Sequence, residues 1–274
     1  MTNPRHARDT ERGRYYSDPA GGPDLVSVTN VLDTAVNKRA LIPWAVKLTV
    51  EHVLANLPSI TLRLVTDRTA VVKEIKAVHR DVKERAADLG DRIHDAAEKR
   101  VLGAPFPQEL EVAPYITQLE LWLDSWGVDL DQHVEATEIT CVHRRLGYAG
   151  TADLMVWLPT GPDGRLELWL IDYKTSATRR ATSVYPENTL QLAALRYCEA
   201  VLLPDDTDAP MPHIERTGVL NLRSNSHALV PMPADRTAHR AFRGLLEGTR
   251  WLHAAPSTYT ALVPAARPSR KAAS

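Results

Sequence analysis

Cysteine is scarce in this chain: Cys141 and Cys198 are the only two in 274 residues. Two thiols are too few for a disulfide framework, and an iron–sulfur cluster typically takes about four. Neither device is expected, and a reducing cytoplasm is the default compartment. No run of about 18 apolar residues is present and the N-terminus lacks a signal-peptide core, so no membrane partner is expected. Net charge is also missing. Lys and Arg total 33 against 34 Asp and Glu, for a formal charge of −1. No global positive field draws in nucleic acid, and DNA binding would require a local basic patch. No internal repeat is present. What remains is ordinary globular composition, 44% hydrophobic and 24% charged. That is enough for a sizeable core in one elaborated domain or two small ones.

Residues 1–24 are polar and end near Gly21-Gly22-Pro23, which predicts a flexible tail. Ser27 can cap a helix reaching about Asn37, with Lys38 and Arg39 following it. Pro43 suits the first turn of a helix over Trp44–Asn56 that Pro58 stops. A further helical pattern begins near Thr66–Thr69 and runs to about Leu102. Its apolar stripe is Val78, Val82, Ala86, Leu89, Ile93, Ala97 and Val101. Gly90, which costs about 1 kcal/mol inside a helix, predicts a break or a close approach by another element. His94 lies at the edge of that stripe, as a structural residue or as one facing a cleft.

After a helix over Tyr115–Trp126 the period changes from helical to alternating. Val134–Arg145, Thr151–Leu158 and Arg165–Lys174 read as three strands. Gly147 and Gly150 bracket one turn, and residues 160–164 form the next loop. A loop carrying Arg179, Arg180 and Tyr185 leads to a helix over Pro186–Leu202. Residues 204–212 read as a loop, His213–Arg223 and His227–Met232 as strands, and Asp235–His253 as a last amphipathic helix. The order predicts an α/β (α+β) fold, a mixed central sheet flanked by helices, with an all-helical N-terminal part. The expected organisation is a tail over 1–24, a single domain over 25–263 and a loose tail over 264–274. Within the domain, 25–130 is mainly helical and 131–255 contains the sheet.

Ile171-Asp172-Tyr173-Lys174-Thr175 closes an apolar strand, and alternation puts Asp172 and Lys174 on one face. Charges there are costly to desolvate. A surface ion pair is one reading; a metal-binding carboxylate beside a charge-stabilising lysine is the other. Asp153, early in the preceding strand, falls at the same end of the hairpin as Asp172. Two such acids repel unless a cation lies between them, and hard oxygen donors suit Mg²⁺ or Mn²⁺. The lysine can stabilise charge on a phosphate or orient a water.

Gly150-Thr151-Ala152-Asp153 followed by Ile171-Asp172-Tyr173-Lys174-Thr175 resembles the core motif of the PD-(D/E)xK nuclease superfamily. Gly90-Asp91-Arg92-Ile93-His94 resembles the GxxxH motif of its RecB-like branch, and Leu190-Gln191-Leu192-Ala193-Ala194-Leu195 its glutamine-containing helix. The resemblance spans roughly residues 25–255 and is strongest to RecB-like exonucleases of the CRISPR-associated and bacteriophage type. It implies a restriction-endonuclease-like core and a metal-dependent DNA exonuclease acting in recombination or repair, in a bacterial host cytoplasm if phage-encoded. Linear DNA, single- or double-stranded, is the implied partner, alongside a homo-oligomer or a recombination protein. A structure-specific or restriction-type endonuclease and a catalytically silent DNA-binding protein are the alternatives on the same fold.

Residue by residue, the resemblance implies that His94, Asp153 and Asp172 ligate the metal, with the Tyr173 backbone carbonyl as an additional ligand. Lys174 positions or activates the water, and Gln191 contacts that lysine or the DNA backbone. Glu138 is a candidate second acid, with a solvated strand residue the equal alternative. Lys38, Arg39, Arg179, Arg180 and Tyr185 match the DNA channel, although surface solubility explains such residues too. Two departures stand out. Leu195 occupies the tyrosine position of the usual glutamine helix, with Tyr197 on another face. The four cluster cysteines are missing, so no iron–sulfur cluster is expected.

Overall fold

The computed structural model describes residues 4–36 and 41–262. Ten strands form one mixed sheet: β1 (Ala7–Thr10), β2 (Gly13–Tyr16), β3 (Leu25–Ser27), β4 (Val134–His143), β5 (Tyr148–Leu158), β6 (Glu167–Thr175), β7 (Ala200–Leu202), β8 (Asp208–Pro210), β9 (Arg216–Leu222) and β10 (His227–Pro231). Eight helices accompany them among the described residues: α1 (Val28–Ala35), α2 (Leu41–Ala55), α3 (Leu57–Thr66), α4 (Arg68–Val101), α5 (Ala113–Ser125), α6 (Leu130–His133), α7 (Pro186–Arg196) and α8 (Arg236–Ala254). The expected mixed sheet flanked by helices is what forms. No helix among the described residues is long and apolar enough to cross a membrane.

β5 is the central strand. It pairs antiparallel with β4 along most of its length. On its other edge its first residues pair parallel with β3, Val26 opposite Tyr148 and Ser27 opposite Ala149. Its last residues pair antiparallel with β6, from Leu154–Ile171 outward to Leu158–Glu167. The residues between those two partners, 150–153, face the gap in which the candidate site lies. β6 continues through Thr175 by pairing parallel with β9.

Strand alternation sends successive side chains into two cores. Met155, Leu168 and Leu170 pack with Val28 and Val31 of α1, Leu192 and Leu195 of α7, and Phe242 and Leu246 of α8. Leu154, Val156, Ile171 and Tyr173 pack on the opposite face with Ile93 and Ala97 of α4 and Leu119, Trp122 and Leu123 of α5. Burying each such Leu or Ile contributes about 1.5–3 kcal/mol. Ser27 caps α1 by accepting from the Asn30 amide at 2.9 Å, as its type and position predict.

Several boundaries differ from expectation. Residues 4–24 do not form a loose tail. β1 and β2 make a hairpin, and Tyr15 and Tyr16 pair it to β3. Its polar alternation suits a hairpin with few buried side chains, a pattern that composition alone assigns to a tail. α2 ends at Ala55, close to the stop expected before Pro58, but Pro58 then opens α3 in its first turn, where a missing N–H costs nothing. α7 ends at Arg196, and β7 and β8 extend the sheet where helix and loop were expected. The long pattern is one unbroken helix of 34 residues, so Gly90 marks an approach rather than a break. A Cβ there would lie 3.4 Å from Thr175 Oγ1. The stripe is buried only toward its C-terminal end, at Ile93, Ala97 and Val101. Against the N-terminal half pack α2 and α3, tied on by His52 and Arg63 meeting Glu74 at 3.1 and 2.5 Å.

Gly150 lies inside β5 rather than in a turn, and α1 and α7 pack closely over it. An added Cβ would sit 2.8 Å from Leu195 Cδ2 and 3.1 Å from Val28 Cγ2. Gly150→Val is expected to cost about 1–3 kcal/mol by overpacking α1 and α7 against the sheet. Urea unfolding checks this; a variant as stable as the parent would contradict the packing.

Candidate metal centre

Beyond the Leu154–Ile171 pair, β5 and β6 stop exchanging backbone hydrogen bonds. The next residue on each strand is an acid, Asp153 and Asp172. Asp153 Oδ2 accepts from the Tyr173 amide at 2.6 Å, so the carboxylate replaces the missing ladder bond and fixes where the strands part. Both acids are buried, at 9% and 3% exposure.

Around them the structure assembles one cavity of about 330 Å³, lined in part by His94, Glu138, Asp153, Asp172, Lys174 and Gln191. His94 comes from the buried half of α4, one residue from Ile93. Its Nδ1 lies 3.7 Å from Asp153 Oδ2 and 4.0 Å from Glu138 Oε1. Its ring meets that of Tyr173 edge to face at 5.8 Å. Glu138 reaches the cavity from β4 with φ of 47°. A non-glycine residue in that region costs of order 1–3 kcal/mol, and such outliers cluster where function holds them. The ligand atoms of His94, Glu138 and Asp153 all lie within 4.8 Å of one another.

Asp172 stands outside that trio because another partner holds it. Lys174 Nζ lies 2.9 Å from Asp172 Oδ1 and 2.7 Å from Oδ2. Gln191 Nε2 on α7 donates to Oδ1 at 2.6 Å, while Gln191 Oε1 accepts from Lys174 at 3.4 Å. Oδ2 receives no hydrogen bond of acceptable angle; only the ammonium charge faces it. Both readings of the Asp172–Lys174 pair therefore have a basis: the two do form an ion pair, at the mouth of a multi-acid cavity.

The electrostatics favour a cation. Burial pushes Asp153 up to about 6, against the pull of Lys174 and the Tyr173 amide. Burial raises Asp172 as well, with Lys174 opposing and Asp153 adding to the shift. Lys174 loses to burial but gains more from Asp172 and Asp153, and its net shift is upward. Burial and Lys174 lower His94 to about 4, so near neutral pH its imidazole is uncharged and able to ligate. Among the lining residues, Asp91, Glu138, Asp153 and Asp172 stand against Arg14 and Lys174. The donors, carboxylate oxygens with one imidazole, fit Mg²⁺ or Mn²⁺. The Tyr173 carbonyl also acts on the His94 ring, which places it beside the same donors.

The remaining predicted residues divide. Arg179, Arg180 and Tyr185 lie on the loop between β6 and α7, outside the cavity lining. The Arg179 guanidinium stacks 4.0 Å over the Tyr185 ring. Lys38 and Arg39 fall outside the described residues. Leu195 is buried against Gly150, and Tyr197 packs on His239.

Two contributions escaped the sequence reading. The N-terminal hairpin brings Arg14 and Tyr16 to the cavity wall, and the Tyr16 hydroxyl meets Thr151 Oγ1 at 2.9 Å. No apolar alternation marks Gly13-Arg14-Tyr15-Tyr16 as a strand in the sequence. Arg223, 5% exposed, donates to the carbonyls of Lys174 and Arg179 at 2.8 Å each. It pins the start of the loop after β6; nothing in its local sequence marks it.

No family model matches the chain, and no curated protein matches it. Among solved structures, the crystal structure of SSO0001 is similar with a TM-score of 0.32. Identity is 16%, over 78% of this chain and 86% of that one. A likeness of that strength carries no argument about function.

Asp153 supplies a pH test. Its folded pKa lies above the ordinary carboxylate value, so between about pH 4 and pH 6 the folded chain holds a proton that the unfolded chain has released. Stability from this group therefore falls as pH rises through that window. Without metal at about pH 7.5, Asp153→Asn is expected to be more stable than the parent by ~1–3 kcal/mol, with the gap closing below about pH 4. Where the site takes Mn²⁺, the order is expected to reverse, because binding stabilises the chain that keeps its carboxylates. Thermal melts in EDTA and in MnCl₂ across pH check both halves. Equal Mn²⁺ shifts in the two proteins would contradict the assignment.

Proposed function

We propose that this chain is a metal-dependent deoxyribonuclease that hydrolyses phosphodiester bonds from the ends of linear DNA. Its setting would be recombination or repair in the cytoplasm, that of a bacterial host if phage-encoded. The observation that carries the reading is the convergence of His94, Glu138, Asp153, Asp172, Lys174 and Gln191 on one cavity. These residues come from α4, β4, β5, β6 and α7, and the sequence motifs for this chemistry fall on four of those five elements. Acids, a neutral imidazole and a lysine in that arrangement suit a phosphodiester better than a neutral substrate, since only an anionic substrate needs both a cation and an ammonium.

His94, Asp153 and Asp172 would hold Mg²⁺ or Mn²⁺, with Glu138 and the Tyr173 carbonyl as further donors. A bound cation supplies Lewis-acid stabilisation of the phosphate and lowers the pKa of an attacking water. Asp172 would turn from Lys174 toward the cation, which leaves Nζ to orient the water or to balance charge building on the phosphate oxygens. Gln191 keeps its Oε1 on Nζ through that exchange and so holds the lysine in place. Arg179, Arg180 and Tyr185 offer a guanidinium pair and an aromatic ring to the strand that enters, as charge and stacking partners for DNA.

End-labelled linear DNA with Mg²⁺ or Mn²⁺ tests the reading. Digestion from the ends is expected, with closed circular DNA intact. Asp172→Ala and Lys174→Ala are each expected to lower the rate by at least ~100-fold, a loss of about 2.7 kcal/mol or more of transition-state stabilisation. Undiminished cleavage in both variants would sink the assignment. Cutting of closed circles would make the protein an endonuclease, and DNA binding without cleavage in any divalent metal would make it a silent binder.

A further inference from the structure

One charged side chain of the metal cavity has no part in the chemistry above. Arg14 lines that cavity together with Tyr16, two residues on along β2 and so on the same strand face. It comes from outside every nuclease motif of the sequence, on the hairpin that pairs through β3 to the start of β5. β3 bounds one side of the gap at residues 150–153 and β6 the other, so Arg14 and Lys174 belong to opposite flanks of it. The Tyr16 hydroxyl seats the hairpin on β5 by meeting Thr151 Oγ1 at 2.9 Å. Burial raises the pKa of that hydroxyl, its bond to Thr151 and the Arg14 charge oppose the rise, and Glu138 adds to it. The Arg14 guanidinium and the Glu138 carboxylate therefore both act on the same hydroxyl.

The ion pair that Arg14 makes does not account for that placement. Asp9, opposite it on β1, meets Nε at 3.1 Å and Nη2 at 3.4 Å. The Asp9 side chain is 73% exposed and that of Arg14 14%. A pair with so solvated a carboxylate stabilises little and is screened by salt, too little to explain a guanidinium held in a cavity wall. Asp9 takes two of the three nitrogens, which leaves Nη1 without a hydrogen bond among the described residues. Exchanging Asp9 for a phosphate costs little, because the aspartate returns to water and the guanidinium fork matches two phosphate oxygens. We propose that Arg14 is a substrate-binding residue, its guanidinium taking the non-bridging oxygens of a DNA phosphate across the cavity from Lys174. The assignment rests on the nuclease reading and adds to it a cation that none of the sequence motifs contains.

Fluorescence anisotropy of a labelled linear duplex, in Ca²⁺ and over a range of KCl, tests the proposal. Arg14→Gln is expected to weaken binding about tenfold or more with circular dichroism unchanged. It is also expected to flatten the dependence of log Kd on log [KCl] by about 0.9, the release of one phosphate contact. Arg14→Lys is expected to keep the parent's slope, because the charge remains while the fork is lost. Asp9→Asn removes the ion pair, keeps the guanidinium and is expected to bind DNA at least as tightly as the parent. A role confined to holding the hairpin would instead weaken Asp9→Asn and Arg14→Gln alike. Arg14→Gln with the parent's affinity and slope overturns the proposal, as does Asp9→Asn binding as weakly as Arg14→Gln. Cleavage in Mg²⁺ on the same samples tells the two possible failures apart. A parent that digests DNA while Arg14→Gln matches it in binding removes the Arg14 assignment alone. A parent that neither binds nor cleaves DNA in any divalent metal removes the nuclease reading and the Arg14 assignment with it.

Discussion

The parting of β5 from β6 at Asp153 and Asp172 is the constraint on which the site depends. A ladder that continued would spend the Tyr173 amide on backbone and place two buried carboxylates face to face with nothing between them. Instead the Asp153 side chain takes that amide at 2.6 Å, the strands diverge, and a cavity opens at the end of a strand fully buried on both faces. Parallel pairing with β9 keeps β6 extended through the divergence, so Lys174 stays on the same strand face as Asp172. The acid–lysine spacing along the chain becomes a spacing in the cavity only because β6 does not curl away.

The surrounding structure maintains an electrostatic imbalance. Asp91, Glu138, Asp153 and Asp172 line a cavity to which Arg14 and Lys174 bring positive charge, while His94 supplies none, being held neutral by burial and by the lysine itself. Lys174 and Gln191 both donate to Asp172 Oδ1, while Oδ2 accepts no hydrogen bond and has the Lys174 ammonium beside it. The costs are carried by packing elsewhere: Gly150 lets α1 and α7 close onto the sheet, Gly90 lets Thr175 approach α4, and Arg223 ties down the chain just after Lys174. A buried arginine bonded mainly to carbonyls is itself costly to desolvate, which is consistent with a position where loop order matters.

The sheet-containing half was legible because its strands are apolar, long and separated by clear turns. The change from helical to alternating period near Val134 marks the start of the sheet, and Asp153, Asp172, Lys174 and Gln191 reach one cavity from the elements the pattern assigned. The polar hairpin over 7–16 was not legible, since most of its side chains face water and little apolar alternation remains to read. β7 and β8 are three residues each, too short to interrupt a helical or loop pattern. Nor could spacing tell that Asp172 would rest on Lys174 while Glu138 joined His94 and Asp153. That choice is made by the φ of 47° at Glu138 and by the reach of Gln191, both tertiary effects.

Anomalous diffraction from crystals grown with Mn²⁺ tests the central claim most directly, because it locates the cation and reports the Asp172 side chain together. The account predicts a manganese peak in the cavity within about 2.2 Å of carboxylate oxygens of both Asp153 and Asp172, with His94 ligating and Asp172 released from Lys174. A cavity without a peak at saturating Mn²⁺, Asp172 still paired to Lys174, would contradict it.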